Sequence, residues 1–156
     1  MSWPFCSTAI TLAGQFPPSE RHLIDLGSAE RFAPGSVTSF PELGFHLVRL
    51  ETGEFLALYI VDPHLGCKVP WRPDFVFAGK KGWFRNPCHG ETYDMEGKCW
   101  FGPCPRGLDR FPTKIEGGKV LVDLSTLIQG PTRPGAQGTP TPVPSHLLPS
   151  PYQVEP

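Results

Sequence analysis

Two short segments of this chain concentrate side chains that bind metals. They are residues 62–67, with Asp62, His64 and Cys67, and residues 86–91, with Asn86, Cys88, His89 and Glu91. Imidazole nitrogens and carboxylate oxygens bind iron and zinc, and thiolates bind softer metals and iron–sulfur clusters. If the fold brings the segments together, these residue types predict a metal site.

A third segment, residues 102–106, reads Gly-Pro-Cys-Pro-Arg. Together the three segments resemble the three loops of a Rieske iron–sulfur domain of the quinol–cytochrome c oxidoreductase type. In that family the loops read Cys-Thr-His-Leu-Gly-Cys, Cys-Pro-Cys-His-Gly-Ser and Gly-Pro-x-Pro. Two Cys hold one iron, two His hold the other, and two further Cys form a disulfide. The resemblance covers about residues 26–124.

The resemblance implies that four side chains keep their family roles. His64 and His89 match the histidine ligands, and Cys67 and Cys88 match the disulfide pair. Such a bridge is worth roughly 3 kcal/mol on the chain-entropy model. It would hold the two histidines near each other with or without metal.

Three positions that would face the cluster differ from the family pattern. Asp62 and Asn86 stand where the family has its two ligand cysteines, and Glu91 stands where it has a serine that hydrogen-bonds a cluster sulfide. An iron–sulfur cluster needs charged, soft sulfur ligands, which these side chains do not supply. We therefore expect no standard [2Fe–2S] cluster.

Three further residues match positions around the family's cluster. Tyr93 matches a tyrosine that donates to a cysteine sulfur, so here we expect it to bond the Asn86 amide or water. Cys104 and Pro105 belong to the loop that covers the cluster. We expect all three to lie just behind the site.

These observations leave three hypotheses open. In the first, the chain is a cluster-free docking or structural subunit of a redox complex. In the second, the two histidines and Asp62 form a 2-His-1-carboxylate set for a single iron or zinc ion, with Glu91 as an added ligand. In the third, an atypically ligated [2Fe–2S] electron-transfer protein uses Asp62, or recruits Cys104 or Cys99.

The elements that must position these residues are short strands. Twenty prolines and seventeen glycines argue against helices. Apolar runs flank Thr52-Gly53 and Gly117-Gly118, which predicts two hairpins. We expect an all-β fold, a Rieske-type antiparallel β-sandwich with a small cluster-binding-like subdomain inserted.

The domain boundaries follow from composition. Residues 1–20 are predicted to be an N-terminal arm, and residues 21–128 the Rieske-like domain, with its subdomain at 62–107. From residue 129 to 156 the chain is proline-rich, with two charged residues, and is predicted to be a disordered tail.

The five cysteines are an odd number, so at least one is unpaired within the chain. They are Cys6, Cys67, Cys88, Cys99 and Cys104. Cys99 and Cys104 lie close enough in sequence to pair, or to remain two thiols.

Charge and hydropathy exclude some partners. The net charge is −1 with dispersed basic residues, which argues against nucleic acid. No apolar run reaches the 18 residues of a membrane span, and the start lacks the basic region of a signal peptide. We expect a chain that is soluble or peripheral to a membrane complex. The partner implied by the resemblance is a larger oxidoreductase or membrane electron-transfer complex, and independent catalysis is not expected.

Overall fold

The structure, a computed structural model, describes residues 22–133. Within this range the chain forms eleven β-strands and one short 3₁₀ turn at Ala29–Arg31. The strands are β1 (Leu23–Ser28), β2 (Ser36–Phe40), β3 (Phe45–Arg49), β4 (Phe55–Tyr59), β5 (Trp71–Phe77), β6 (Lys80–Arg85), β7 (Thr92–Tyr93), β8 (Cys99–Phe101), β9 (Arg110–Phe111), β10 (Thr113–Glu116) and β11 (Lys119–Asp123). This confirms the predicted all-β class.

The strands form three antiparallel sheets. Their orders are β1-β11-β10, β2-β3-β4-β9 and β5-β6-β7-β8. Side chains from the first two sheets share one apolar core, which includes Phe45, Leu47, Ala57, Val120 and Val122. Residues of β3 and β4 also contribute, with Phe84 and Tyr93 of the third sheet, to a second core. Because β4 serves both cores, the third sheet is packed against the rest of the domain.

The predicted hairpins are present. Strands β3 and β4 pair in antiparallel register from Phe45↔Tyr59 to Arg49↔Phe55. Gly53 lies in their turn with φ +90°, a conformation that suits glycine because it lacks a Cβ. Strand β4 then leads directly into the segment that begins at Asp62.

The first residues of the predicted tail, 129–133, lie within the described range. Residues 128–132 run along residues 106–110: Gly107 N donates to Pro131 O (2.8 Å), and Thr132 forms a bridge with Arg106. Backbone hydrogen bonds to a neighbouring segment give these residues a fixed place that proline content did not predict. The predicted arm at 1–20 and residues 134–156 lie outside the described range.

No helix in residues 22–133 is long and apolar enough to cross a membrane.

Candidate functional site

The first loop of the site connects β4 to β5 and closes on itself through its own backbone. Asp62 N donates to Cys67 O (2.9 Å), and Gly66 N donates to Asp62 O (3.1 Å). The side chain of Asp62 takes part as well, since its Oδ1 accepts from His64 N at 2.7 Å. An Asx side chain that accepts from the amide two residues later forms an Asx-turn. Asp62 thus organises the loop that carries His64.

The second loop, between β6 and β7, repeats this arrangement. Asn86 N donates to Glu91 O (2.9 Å), and Gly90 N donates to Asn86 O (3.1 Å). Asn86 Oδ1 accepts from Cys88 N at 2.7 Å, which is a second Asx-turn. The sequence signal was available, because Asp or Asn followed by proline favours turn initiation. The ligand interpretation of Asp62 and Asn86 did not include these turns.

A disulfide joins the two loops. Cys67 and Cys88 are bonded, with their Cα atoms 6.5 Å apart, inside the range that a disulfide requires. The predicted pair is therefore confirmed. Cys99 and Cys104 also lie at disulfide distance, with a Cα separation of 6.4 Å.

Behind the loops lies a buried polar network centred on Asp62. Asn86 Nδ2 donates to Asp62 Oδ2, and the Tyr93 hydroxyl donates to Asp62 Oδ1 at 3.0 Å. All three side chains are at most 1% exposed. We expected Tyr93 to bond the Asn86 amide or water, but its hydroxyl donates to the Asp62 carboxylate, which lies within its reach and is the stronger acceptor. Both oxygens of Asp62 are thereby engaged inside the protein.

Burial sets the protonation behaviour of this network. Burial raises the pKa of Asp62, and hydrogen bonds from His64 N, Tyr93 and Asn86 partly oppose that effect. Burial also raises the pKa of Tyr93, and the adjacent Asp62 carboxylate raises it further. The phenol therefore stays protonated and remains a donor to Asp62.

In front of this network, Glu91 lies between the two histidines. Glu91 Oε1 is 2.8 Å from His64 Nδ1 and 4.0 Å from His89 Nδ1. One ligand atom from each of the three side chains lies within 4.8 Å of the others. Glu91 is fully buried, whereas the His64 and His89 side chains are 28% and 38% exposed. The three side chains form a cluster that is open to solvent on its histidine side.

This cluster differs from the ligand set that the sequence favoured. Asp62 was expected beside the histidines and Glu91 as an addition, but Glu91 is the carboxylate grouped with them. The Asp62 carboxylate accepts a hydrogen bond from the backbone N–H of His64, not from its imidazole. The carboxylate nearest to His64 in sequence is therefore not the one that contacts its ring.

The third loop supports Glu91 from behind. Gly102 has φ +93°, and a Cβ at this position would lie 2.8 Å from Glu91 Cα. Cys104 is buried and belongs to the same apolar core as Tyr93, whereas Pro105 is exposed. Of the two loop residues predicted to back the site, only Cys104 packs into the interior. A buried ion pair between Arg106 and Asp109 (2.8 Å) fixes the end of the loop.

The sequence matches the family described as Rieske [2Fe-2S] domain over residues 22–112. Several cytochrome b6-f complex iron-sulfur subunits are also similar. The subunit from Chlorobaculum tepidum is 35% identical over 75 residues, 47% of this chain and 37% of that protein. The subunit from Prochlorococcus marinus strain AS9601 is 44% identical over 72 residues, 46% of this chain and 36% of that protein. The matched part spans about a third of the length of these relatives.

Solved structures with a similar fold include the plasma membrane Rieske protein of Synechocystis PCC 6803. It is 27% identical with a TM-score of 0.46, over 64% of this chain and 98% of that one. A naphthalene 1,2-dioxygenase is 19% identical with a TM-score of 0.52, over 67% of this chain and 26% of that one. The dioxygenase likeness concerns the fold alone.

Proposed function

Since this chain belongs to the Rieske [2Fe-2S] domain family, we propose that it is a cluster-free member that docks on a larger electron-transfer complex. The family relation to cytochrome b6-f iron-sulfur subunits supports a place in electron transfer. The loss of the cluster and the docking role go beyond that family relation and are proposed here.

The Asp62–Asn86–Tyr93 network carries the proposal. The resemblance places Asp62 and Asn86 where relatives have thiolate ligands, and here the two side chains satisfy each other in the interior. The four cysteines within residues 22–133 form two pairs at disulfide distance, and a cysteine in a disulfide offers no thiolate. The donors around the two loops therefore do not fit a standard [2Fe–2S] cluster.

Glu91 adds an independent argument. Its carboxyl group is already hydrogen-bonded to His64 Nδ1 and lies between the two histidines. A carboxylate there would repel the anionic sulfide of a cluster, whereas a serine hydroxyl would donate to it. Glu91, like Asp62 and Asn86, thus disfavours the binding of a [2Fe–2S] cluster.

The surface that supports docking is the loop tip, which we define as His64, Leu65, His89 and Gly90. Leu65 is 67% exposed, between a partly exposed imidazole and the disulfide-bonded Cys67. An exposed leucine on a loop held by a disulfide offers apolar surface whose burial by a partner would be favourable. The partner class we propose is the cytochrome b-containing complex to which the relatives' names refer.

Cluster content is the first test. The full chain is purified anaerobically, and iron, acid-labile sulfide and the EPR spectrum after reduction are measured. We expect no stoichiometric sulfide and no Rieske-type signal. One cluster per chain with such a signal would contradict the proposal, and would favour an atypically ligated electron-transfer protein in which Asp62, Cys99 or Cys104 serves as ligand.

Docking is the second test. The tagged chain is recovered from detergent-solubilised membranes of its own organism, and the haem b that elutes with it is quantified. Leu65→Asp should remove at least nine-tenths of the haem. Val76→Asp is the matched control, because Val76 is also an exposed apolar residue (56%) but lies on β5, outside the loop tip. Equal haem recovery by wild type and Leu65→Asp would reject docking through this tip.

A further inference from the structure

The cluster of His64, His89 and Glu91 combines the donor atoms of a mononuclear metal site. Glu91 Oε1 lies 2.8 Å from one Nδ1 and 4.0 Å from the other. Ligand atoms about 2.0–2.2 Å from a common zinc ion lie roughly 3–4 Å from one another in tetrahedral geometry. These two separations bracket that range, and the three ligand atoms all lie within 4.8 Å of one another, so the three side chains are close enough to share one ion.

The second oxygen of Glu91 provides an independent observation. Glu91 is 0% exposed, and its Oε2 has no hydrogen-bond partner among the described residues. A buried carboxylate oxygen without a donor is costly, because it has lost its hydration and gained nothing in exchange. A bound cation would compensate that loss directly.

The scaffold holds the three ligands in place without metal. The Cys67–Cys88 bridge joins the histidine loops, and each loop is closed by its own Asx-turn. Gly102 lies against the backbone of Glu91, which limits where its carboxylate can move. Ligands held in advance lose less conformational entropy when a metal binds.

We propose that this chain binds a single divalent metal ion of the zinc or iron(II) class, with His64 Nδ1, His89 Nδ1 and the Glu91 carboxylate as its protein ligands. Two imidazoles and one carboxylate are a known set for both metals, and three protein ligands leave a further position for water or a small molecule. The partly exposed histidines give the ion a route from solvent. Asp62 is not a ligand, because its oxygens serve the loop backbone, Asn86 and Tyr93.

Zinc titration of the full chain tests the proposal. The protein is kept non-reduced so that its disulfides persist, free thiols are capped with iodoacetamide, and ZnCl₂ is added in a calorimeter. We expect one ion per chain for wild type. His64→Ala/His89→Ala should weaken binding at least a hundredfold, and Glu91→Gln at least tenfold.

Two controls define the ligand set. His22→Ala removes a histidine outside the cluster and should leave the affinity within twofold. Asp62→Asn, checked for folding by circular dichroism, should leave it within threefold. Equal affinity of wild type and the double histidine variant overturns the proposal. An Asp62→Asn loss as large as that of Glu91→Gln overturns the ligand set, since Asp62 would then be the carboxylate that binds.

The inference rests on the cluster-free part of the proposed function, and the two can fail separately. Acid-labile sulfide is measured on the protein used for titration. Stoichiometric sulfide would contradict the proposed function itself. Sulfide-free protein that binds no zinc at the histidines would contradict only the metal site.

Discussion

Asp62 and Asn86, the first residues of the two histidine loops, are hydrogen-bonded to each other through their side chains in the protein interior. Each also closes its own loop by accepting a backbone N–H two residues later. The two positions that the resemblance assigns to cluster ligands therefore serve as structural connections.

Restoring sulfur ligands should not be enough to rebuild a cluster. Asp62→Cys/Asn86→Cys supplies two thiols, but the Glu91 carboxyl group remains hydrogen-bonded to His64 between the two histidines. We expect the triple variant with Glu91→Ser to retain several-fold more iron and acid-labile sulfide after anaerobic reconstitution than the double variant. Equal sulfide contents in the two variants would show that Glu91 is no obstacle.

Removing the Tyr93 hydroxyl should destabilise the fold. In Tyr93→Phe, Asp62 Oδ1 loses a buried donor and keeps only the His64 amide. Hydrogen bonds to charged groups are worth about 1.5–3 kcal/mol, and we expect a loss of that order in the free energy of unfolding. Urea denaturation followed by tryptophan fluorescence measures it. A loss below about 0.5 kcal/mol would mean that the network contributes little.

The two disulfides should contribute unequally. The bonded cysteines are separated by 21 residues in Cys67–Cys88 and by 5 in Cys99–Cys104. Because loop-closure entropy grows with loop length, the chain-entropy model gives about 3 kcal/mol for the first pair and about 2 kcal/mol for the second. Unfolding of the Cys67→Ser/Cys88→Ser and Cys99→Ser/Cys104→Ser variants should show that order. If Cys99→Ser/Cys104→Ser loses more stability than Cys67→Ser/Cys88→Ser, packing in the folded state, and not loop-closure entropy, would explain the difference.

A methyl group at Gly102 should disturb the site through Glu91. Gly102→Ala places a Cβ 2.8 Å from Glu91 Cα, in addition to the strain of φ +93°. Gly53→Ala is a matched control, since its φ is +90° and nothing lies within 4 Å of the added Cβ. The strain of about 1–2 kcal/mol is common to both, so any excess loss of stability in Gly102→Ala, about 1–3 kcal/mol, reports the contact. Equal losses of stability in the two variants would indicate that the loop moves to accommodate the added methyl group.

Acid should destabilise the protein through His46. This side chain is buried, with Nε2 donating to Val69 O and Nδ1 accepting from Ser39 Oγ, and burial lowers its pKa. The unfolded chain binds a proton near pH 6.5 while the folded state does so only at lower pH. Stability is therefore lost as pH falls from about 6.5 toward the folded pKa, by up to about 1.4 kcal/mol per pH unit.

The His46→Asn variant isolates that term. Between pH 7.5 and 5.5, urea denaturation should show a smaller loss of stability for His46→Asn than for wild type. His22→Asn is the control, because His22 is not buried and should leave the wild-type pH dependence in place. Identical pH profiles for wild type and His46→Asn would show that this histidine does not limit acid stability.

Much of the architecture was accessible from local patterns. Apolar runs around Thr52-Gly53 predicted a hairpin because turn chemistry and strand composition are short-range properties. The loop spacing, through the family resemblance, predicted the Cys67–Cys88 pair. Composition did not predict the hydrogen bond between Gly107 N and Pro131 O, because it joins segments far apart in sequence.

The sequence by itself determined that two histidines and two carboxylates occupy the paired loops of an all-β domain. Only the tertiary structure decided which carboxylate meets the histidines. Asp62 is two residues from His64, but its oxygens are used by its own loop, Asn86 and Tyr93. Glu91 is 27 residues from His64, and strand pairing and the disulfide bring it within 2.8 Å. Local hydrogen bonds engage the carboxylate of Asp62, which is nearer to His64 in sequence. Long-range packing places the carboxylate of Glu91 beside the histidines.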